Sequence, residues 1–406
     1  MRCCATYTCN FMRVLQIVHQ YPPEHVGGVE LITRELARGL AARGHEVQVV
    51  TRAPAGQPSV AQADGVTVHR ISLPASASRR FIASFRDDAA LKVVRHLLQT
   101  LRPEIVHLQH LMGHPLDVAR AIRDAGAPYA ITLHDYWYAC ANAQLITNFD
   151  GSQCDGPTPV RCGRCAAARA GLPHWAGAAF APLMRRRNDL LREILTGASV
   201  VTMPSQFVRD LFGALGYNTA TWRVIPYGLD WCLKPRKPHE GVRFAYVGGL
   251  ARQKGVHVLV DAFNDLPFDR HLSIAGPEQA FPEYVAALKA AAKHPNIRFL
   301  GAQSREQTWS LLSETDAVIV PALWHETSSL IAREAVAAGC QLIASRMGAL
   351  TEVAEANEGV LITPGDVDQL RAAMRDAQPS MRLPMSYRSV ADYTTDIENL
   401  YKDIAR

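Results

Sequence analysis

The stretch Trp324-His325-Glu326-Thr327-Ser328-Ser329-Leu330-Ile331-Ala332-Arg333-Glu334-Ala335 decides the reading of this chain. Two carboxylates, Glu326 and Glu334, flank seven residues that include a Ser-Ser pair. From Ser329 to Ala338 the apolar residues Leu330, Ile331, Ala335, Val336 and Ala338 recur at helical spacing, and Gly339 ends the run. Ser328 and Ser329 therefore fall where a helix begins. A helix N-terminus offers unpaired N–H groups and the positive end of the helix dipole, which suit a diphosphate. Glu326 lies just before that helix and Glu334 about two turns from it.

Two glutamates at this spacing are commonly no more than solvated surface charges, so the flanking sequence matters. Ala317-Val318-Ile319-Val320-Pro321 and Gln341-Leu342-Ile343-Ala344-Ser345 read as buried parallel strands. Strand, glutamate loop, helix, glycine and strand form a βαβ unit, whose ligand site belongs at the carboxyl end of the first strand.

The same alternation runs through the whole chain. Strands are expected at Val14–Val18, Glu46–Thr51, Val66–Ile71, Ile105–Leu108, Tyr129–Leu133, Val200–Pro204 and Trp222–Pro226. Helices are expected after Gly27-Gly28 and over Ala89–Leu101. Tyr227 to Val242, with Pro235 and Pro238, reads as a hinge. The pattern restarts at Phe244–Val247, His271–Ala275 and Ile297–Leu300. The fold class is α/β: two Rossmann-like, doubly wound domains, at 12–225 and 241–385, facing each other across a cleft. A Cys-rich loop insertion is expected at 139–166.

Four separate motifs support a resemblance: Gly27-Gly28-Val29-Glu30, Thr132-Leu133-His134-Asp135, Tyr246-Val247-Gly248-Gly249-Leu250 with Lys254-Gly255, and the glutamate motif with Gly348 and Glu352. In order and spacing the chain resembles the retaining GT-B glycosyltransferases of family four, over nearly its whole length. The resemblance implies sugar transfer from a nucleotide-sugar donor to a saccharide or lipid-linked hydroxyl acceptor, with retention and no cofactor for the chemistry. It also implies that the segment 386–406 packs back on the first domain. Gly27 and Gly28 would floor the donor phosphate and the acceptor. His134 would lie beside the donor sugar, and Asp135 would meet the acceptor or fix the ring of His134. Glu326 would contact the sugar and Glu334 the ribose. Ser328, Ser329 and Leu330 would supply amides to the diphosphate, and Gly276 would admit the nucleoside. Lys254 matches the family's cation. Gly249 stands where the family usually has arginine, so Arg252 is expected to supply the second cation.

With 48% hydrophobic and 20% charged residues in 406, the composition is that of a globular protein of two or three domains. No apolar run approaches membrane-spanning length. The segment from Met1 to Phe11, with Cys3, Cys4 and Cys9, lacks the apolar core of a signal peptide. Met12 is an alternative start, because the first strand follows at once. A cytoplasmic location is expected, with peripheral contact on the inner face of the membrane as an option. The first 225 residues carry 24 Lys+Arg against 16 Asp+Glu, which suits an acidic acceptor or an anionic surface. Met184-Arg185-Arg186-Arg187 is the densest cluster and reads either as a solubilising helix face or as a membrane contact. The basic residues are not interleaved with aromatics, so nucleic acid is not an expected partner.

Cys140, Cys154, Cys162 and Cys165 crowd one short stretch, the last two as a C-x-x-C pair. A structural Zn²⁺ held by all four thiols is expected, with reduced thiols or disulfides as alternatives. Two rivals to transfer remain: a nucleotide-sugar epimerase on the same scaffold and a non-catalytic, zinc-stabilised adaptor.

Overall fold

The computed structural model describes residues 11–24, 26–53, 58–73, 83–230, 232, 234–236, 238–380, 382–385 and 387–405. Cys3, Cys4 and Cys9 lie outside the described residues, as do Trp231, Leu233 and Lys237 in the expected hinge.

Fourteen strands are present among the described residues: β1 Arg13–Ile17, β2 Glu46–Ala53, β3 Ser59–Ala63, β4 Val66–Ser72, β5 Ile105–Leu108, β6 Tyr129–Thr132, β7 Val200–Met203, β8 Arg223–Val224, β9 Val242–Val247, β10 Arg270–Ala275, β11 Ile297–Gly301, β12 Ala317–Val320, β13 Gln341–Ser345 and β14 Val360–Ile362. They form two sheets, ordered β3-β4-β2-β1-β5-β6-β7-β8 and β11-β10-β9-β12-β13-β14. Every pairing is parallel except β3 with β4. Sequence order reverses between β1 and β5 in the first sheet and between β9 and β12 in the second. Crevices at the carboxyl ends of such strand pairs are where ligands bind in open α/β sheets.

The central strands are largely apolar because helices cover both faces of the sheets. In β5, β6 and β12 all four residues are buried. The helix Val390–Ile404 lies on the first sheet and packs against the helix Gly28–Ala42. Its buried face carries Tyr393, Ile397 and Tyr401. The two helices approach so closely that a Cβ on Gly39 would come within 2.5 Å of the Thr394 hydroxyl. Ser389 begins the later helix with a reciprocal capping box to Asp392, which satisfies two backbone donors.

The segment expected as a Cys-rich loop holds a helix, Pro159–Arg169. Thr158 accepts from the Arg161 amide and Pro159 occupies the first turn, both strong helix-start features. The basic cluster is also rearranged. On the helix Ala181–Thr196, Arg185 and Arg186 are exposed, whereas Met184 and Arg187 are buried. The Arg187 guanidinium donates to the Trp137 carbonyl (2.6 Å) and lies over the Trp137 ring. Among the described residues, no helix is long and apolar enough to cross a membrane.

Candidate active site in the interdomain cleft

Lys254 and Glu326 come from the loops after adjacent strands β9 and β12. The Lys254 ammonium reaches Glu326 Oε1 at 2.6 Å, and the Trp324 indole N–H donates to the same oxygen at 2.9 Å. The ammonium also lies 4.7 Å from the centre of the Trp324 ring. Two glycines hold this geometry. Gly255 has φ +71°, and a Cβ there would sit 1.8 Å from the Pro321 carbonyl. Gly348 has φ +61°, and its Cβ would sit 2.4 Å from the Glu326 carbonyl. Both need the left-handed backbone that glycine tolerates and a side chain forbids. Gly348 further pairs with Glu326 in a parallel bridge, and the Ala349 amide donates to the Glu326 carbonyl at 2.8 Å.

The helix beyond Glu326 spans Leu330–Ala337. Ser329 precedes it with φ +52°, an uncommon conformation for a residue with a side chain, and makes no capping bond. Side chains cap six other helices, where Asp87, Thr158, Ser205, Ser304, Asp366 and Ser389 each accept from a first-turn amide, while the helices starting at Gly28, Asp117, Ala181, Val256, Pro282 and Ala349 also lack such a cap. The Ser328 hydroxyl is buried and without a hydrogen-bond partner among the described residues. A helix start without a side-chain cap leaves its first-turn amides able to meet an anion. Glu334, buried on the same helix, accepts from Arg305 at 2.6 Å, and Arg305 also reaches the Asp230 carbonyl.

The glutamate loop closes onto the first domain. Thr327 donates to the His134 carbonyl (2.8 Å), Ser205 donates to the Thr327 carbonyl (2.8 Å), and Tyr136 donates to the His325 carbonyl (3.0 Å). Glu352 accepts from the Gln206 and Phe207 amides, so a carboxylate of the second domain caps the helix Gln206–Ala214 of the first. A Cβ on Gly28 would lie 3.8 Å from the Leu330 side chain, so the Gly27-Gly28 loop faces the uncapped helix start.

The other expected site residues lie in varied surroundings. Both ring nitrogens of His134 have partners within the chain. Tyr227 donates to Nδ1 (2.6 Å) and Nε2 donates to the Gln109 side-chain oxygen (2.7 Å). Burial, reinforced by the nearby His110 and His107 rings, holds His134 neutral, with its pKa well below that of a free imidazole. Asp135 does not fix that ring either; it pairs with His110 Nε2 at 3.1 Å. Arg252 is exposed on the short turn Arg252–Lys254, and among the described residues only Lys254 reaches Glu326 by ion pair. Gly276 serves packing: a Cβ there would lie 2.0 Å from the Gly248 carbonyl. Nothing lies within 4 Å of a Cβ at Gly249, so that position is open space.

Cys140, Cys154, Cys162 and Cys165 are half-buried free thiols. Cys154 donates to the Gly156 carbonyl, and the Cys165 sulfur accepts from the Asn148 amide. Among the described residues, no three Cys, His, Asp or Glu side chains stand together as a metal-holding group. The thiols come from three separate segments, and those of Cys154 and Cys165 are already hydrogen-bonded locally, so the expected four-thiol shell is not assembled among the described residues.

Trp324, Arg305, His110, Gln109 and the capping role of Glu352 were not expected. His110 and Gln109 follow β5 as His134 follows β6, and the same carboxyl-end rule points to them.

A family model described as Glycosyltransferase Family 4 matches residues 26–231, and one described as Glycosyl transferases group 1 matches residues 233–386. The chain belongs to the family 4 glycosyltransferases. Its similarity to a glycogen synthase of Mycobacterium tuberculosis is 28% identity over 386 residues, covering 90% of this chain and 85% of that protein. A GDP-mannose-dependent alpha-(1-6)-phosphatidylinositol dimannoside mannosyltransferase of the same species is 26% identical, covering 86% of this chain and 83% of that protein. Among solved structures, sucrose-phosphate synthase from Thermosynechococcus elongatus superimposes with a TM-score of 0.68 at 19% identity, covering 97% of this chain and 96% of that one. HepE from Anabaena, in complex with UDP and glucose, gives 0.64 at 18%, covering 97% of each chain. The fold is GT-B, and this family 4 member is a glycosyltransferase.

Proposed function

We propose that this enzyme moves a hexose from a nucleoside diphosphate sugar to a hydroxyl of a glycan or glycolipid acceptor, with retention at the anomeric carbon. The observation that carries the reading is the uncapped start of the helix Leu330–Ala337, with Ser329 in left-handed backbone, beside the Lys254–Glu326 pair. Amides at Leu330 and the following residues, together with Lys254, neutralise the departing diphosphate through preorganised dipoles and charge. In this reading Glu326 supports positive charge at the anomeric carbon and Glu334, held by Arg305, meets the ribose hydroxyls. The acceptor oxygen bonds to that carbon as the bond to the phosphate oxygen breaks, and the acceptor proton passes to the diphosphate on the same face. His134 shapes the loop through its carbonyl rather than touching the sugar with its ring. The UDP and glucose bound to HepE support a donor of this class.

The test is incubation with UDP-, GDP- and ADP-hexoses, each with and without saccharide acceptors, reading the anomeric configuration of the product by NMR. Transfer with retention is expected. Inversion would refute the stereochemistry, and an isomerised nucleotide sugar formed without acceptor would establish the epimerase instead.

We infer a cytoplasmic enzyme with peripheral membrane contact. Support comes from exposed Leu183 on the helix that also carries Arg185 and Arg186, and from exposed Val160, Leu172 and Trp175 on the segments preceding it. Co-sedimentation with phosphatidylglycerol vesicles is expected, and its absence would remove the membrane contact. Structural zinc stays our proposal for the four thiols, supported by their shared neighbourhood beside the buried Arg187 cation. It requires the side chains to turn toward a common centre. Metal analysis of the purified protein finding no zinc would end it.

A further inference from the structure

Trp324 stands between the two halves of the molecule. Its indole N–H donates to Glu326 Oε1 at 2.9 Å, and the Lys254 ammonium lies 4.7 Å from the centre of its ring. Both members of the Lys254–Glu326 pair therefore lean on one aromatic side chain. The ring packs against the apolar core of the first domain as well as that of the second. Within the second domain the Leu323 amide donates to the Gln253 carbonyl at 2.8 Å, which ties this loop to the turn that carries Lys254.

The first domain grips the loop on both sides of Trp324. Tyr136, which follows β6, donates its hydroxyl to the His325 carbonyl at 3.0 Å. Its ring meets the Trp324 ring edge-on, with 6.4 Å between centres. Gln153 donates to the Leu323 carbonyl at 3.5 Å and lies 3.6 Å from the Met347 sulfur. The two grips differ in quality. Gln153 is exposed and its contacts are long, so water competes for them. Tyr136 is fully buried in the first domain's core. Its carbonyl accepts from the Ala139 and Cys140 amides, which fixes its backbone. Burial, reinforced by the nearby Glu326 and Asp135 carboxylates, keeps its hydroxyl protonated and therefore a donor. No surface of Tyr136 is open to a ligand, so any effect it has on turnover passes through Trp324 and His325.

We infer that Tyr136 is a positioning residue of the transfer reaction, acting across the domain boundary through Trp324 to set the Lys254–Glu326 pair. The inference rests on the transferase reading above and adds to it that alignment of the pair depends on the opposite domain. Indole N–H and ammonium converge on one carboxylate oxygen. A rotation of the Trp324 ring takes one donor away from Glu326 and shifts the face over which Lys254 lies. Misplacing a reacting group by about 1 Å costs on the order of a hundredfold, so a smaller shift from losing one hydroxyl contact is expected to cost roughly tenfold.

The experiment is a double-mutant cycle on the full chain. It reads initial transfer rates at saturating donor and acceptor, nucleoside diphosphate affinity by calorimetry, and a melting curve for each variant. Tyr136→Phe keeps the ring and loses the hydroxyl, while Trp324→Phe keeps a ring and loses the indole N–H. Tyr136→Phe is expected to lower kcat roughly tenfold and to leave nucleotide affinity within about threefold of the wild type. Because the two residues act in series, the double variant is expected to fall no more than about threefold below the slower single variant, whereas independent losses multiply. Gln153→Ala is expected to lose less than Tyr136→Phe. Tyr138→Phe is the control, since that hydroxyl is also buried and has no hydrogen-bond partner among the described residues, and it should match the wild type. Three results would overturn the inference and leave the transferase reading standing: a folded Tyr136→Phe with the wild-type kcat, an equal loss in Tyr138→Phe, or multiplied losses in the double variant. A wild type that transfers no sugar from any nucleotide sugar would remove that reading and this inference with it.

Discussion

Replacing Gly348 by alanine tests whether backbone placement of Glu326 controls turnover. The new Cβ would lie 2.4 Å from the Glu326 carbonyl, 2.7 Å from its amide nitrogen and 3.0 Å from the His325 carbonyl carbon. All three are backbone atoms, so no rotamer relieves the clash. Restoring a contact of about 3.0 Å requires the loop to recede by at least about 0.6 Å. Misplacement of a reacting group by roughly 1 Å costs on the order of a hundredfold, so a loss of about ten- to a hundredfold in kcat is expected. The conformation at Gly348 (φ +61°, ψ −142°) adds about 1–3 kcal/mol of destabilisation for alanine. Initial rates with saturating donor, alongside a melting curve, separate the two effects. Gly249→Ala is the control, because its Cβ meets nothing within 4 Å, and it should match the wild type. A folded Gly348→Ala variant with the wild-type kcat would refute the reasoning.

Other outcomes follow from the same contacts. Burial lowers the pKa of both His107 and His114 to about 3. The folded state holds both neutral while the unfolded chain protonates near 6.5, so their stabilising contribution is intact above pH 6.5 and declines as pH falls toward 3. At pH 5 each loses about 2 kcal/mol, so the melting temperature should drop steeply below pH 6.5; a flat profile from pH 7 to 5 would contradict this. Glu352→Ala removes the cross-domain cap on the helix Gln206–Ala214, with a loss of about 1 kcal/mol and a more open shape in solution scattering. An unchanged scattering profile would show that the cap does not hold the domains together.

Much of this architecture was legible because buried parallel strands announce themselves as short apolar runs. β5 coincides with the expected segment residue for residue, and β12 ends one residue before Pro321. β3 was not legible, since all five of its residues are exposed and it carries no apolar face. In the site, Glu326, Lys254, Ser329 and Gly348 were legible because loop chemistry at strand ends depends on residue type and position. Partner choice was not. Whether a histidine faces a ligand or the core depends on groups distant in sequence, and His134 is claimed by Gln109 and Tyr227, 25 and 93 residues away. Arg187 shows the same limit: three adjacent arginines read as one surface patch, yet helical rotation turns the third beneath Trp137.

The central claim is that the cleft holds a nucleoside diphosphate between the uncapped helix start and Lys254. Calorimetric titration of UDP, GDP and ADP into the wild type and into Lys254→Ala tests it most directly. The account predicts saturable binding of one of the three at one site per chain, weakened at least tenfold in the variant. Equal affinity in the two proteins, or no binding of any nucleotide, would contradict it.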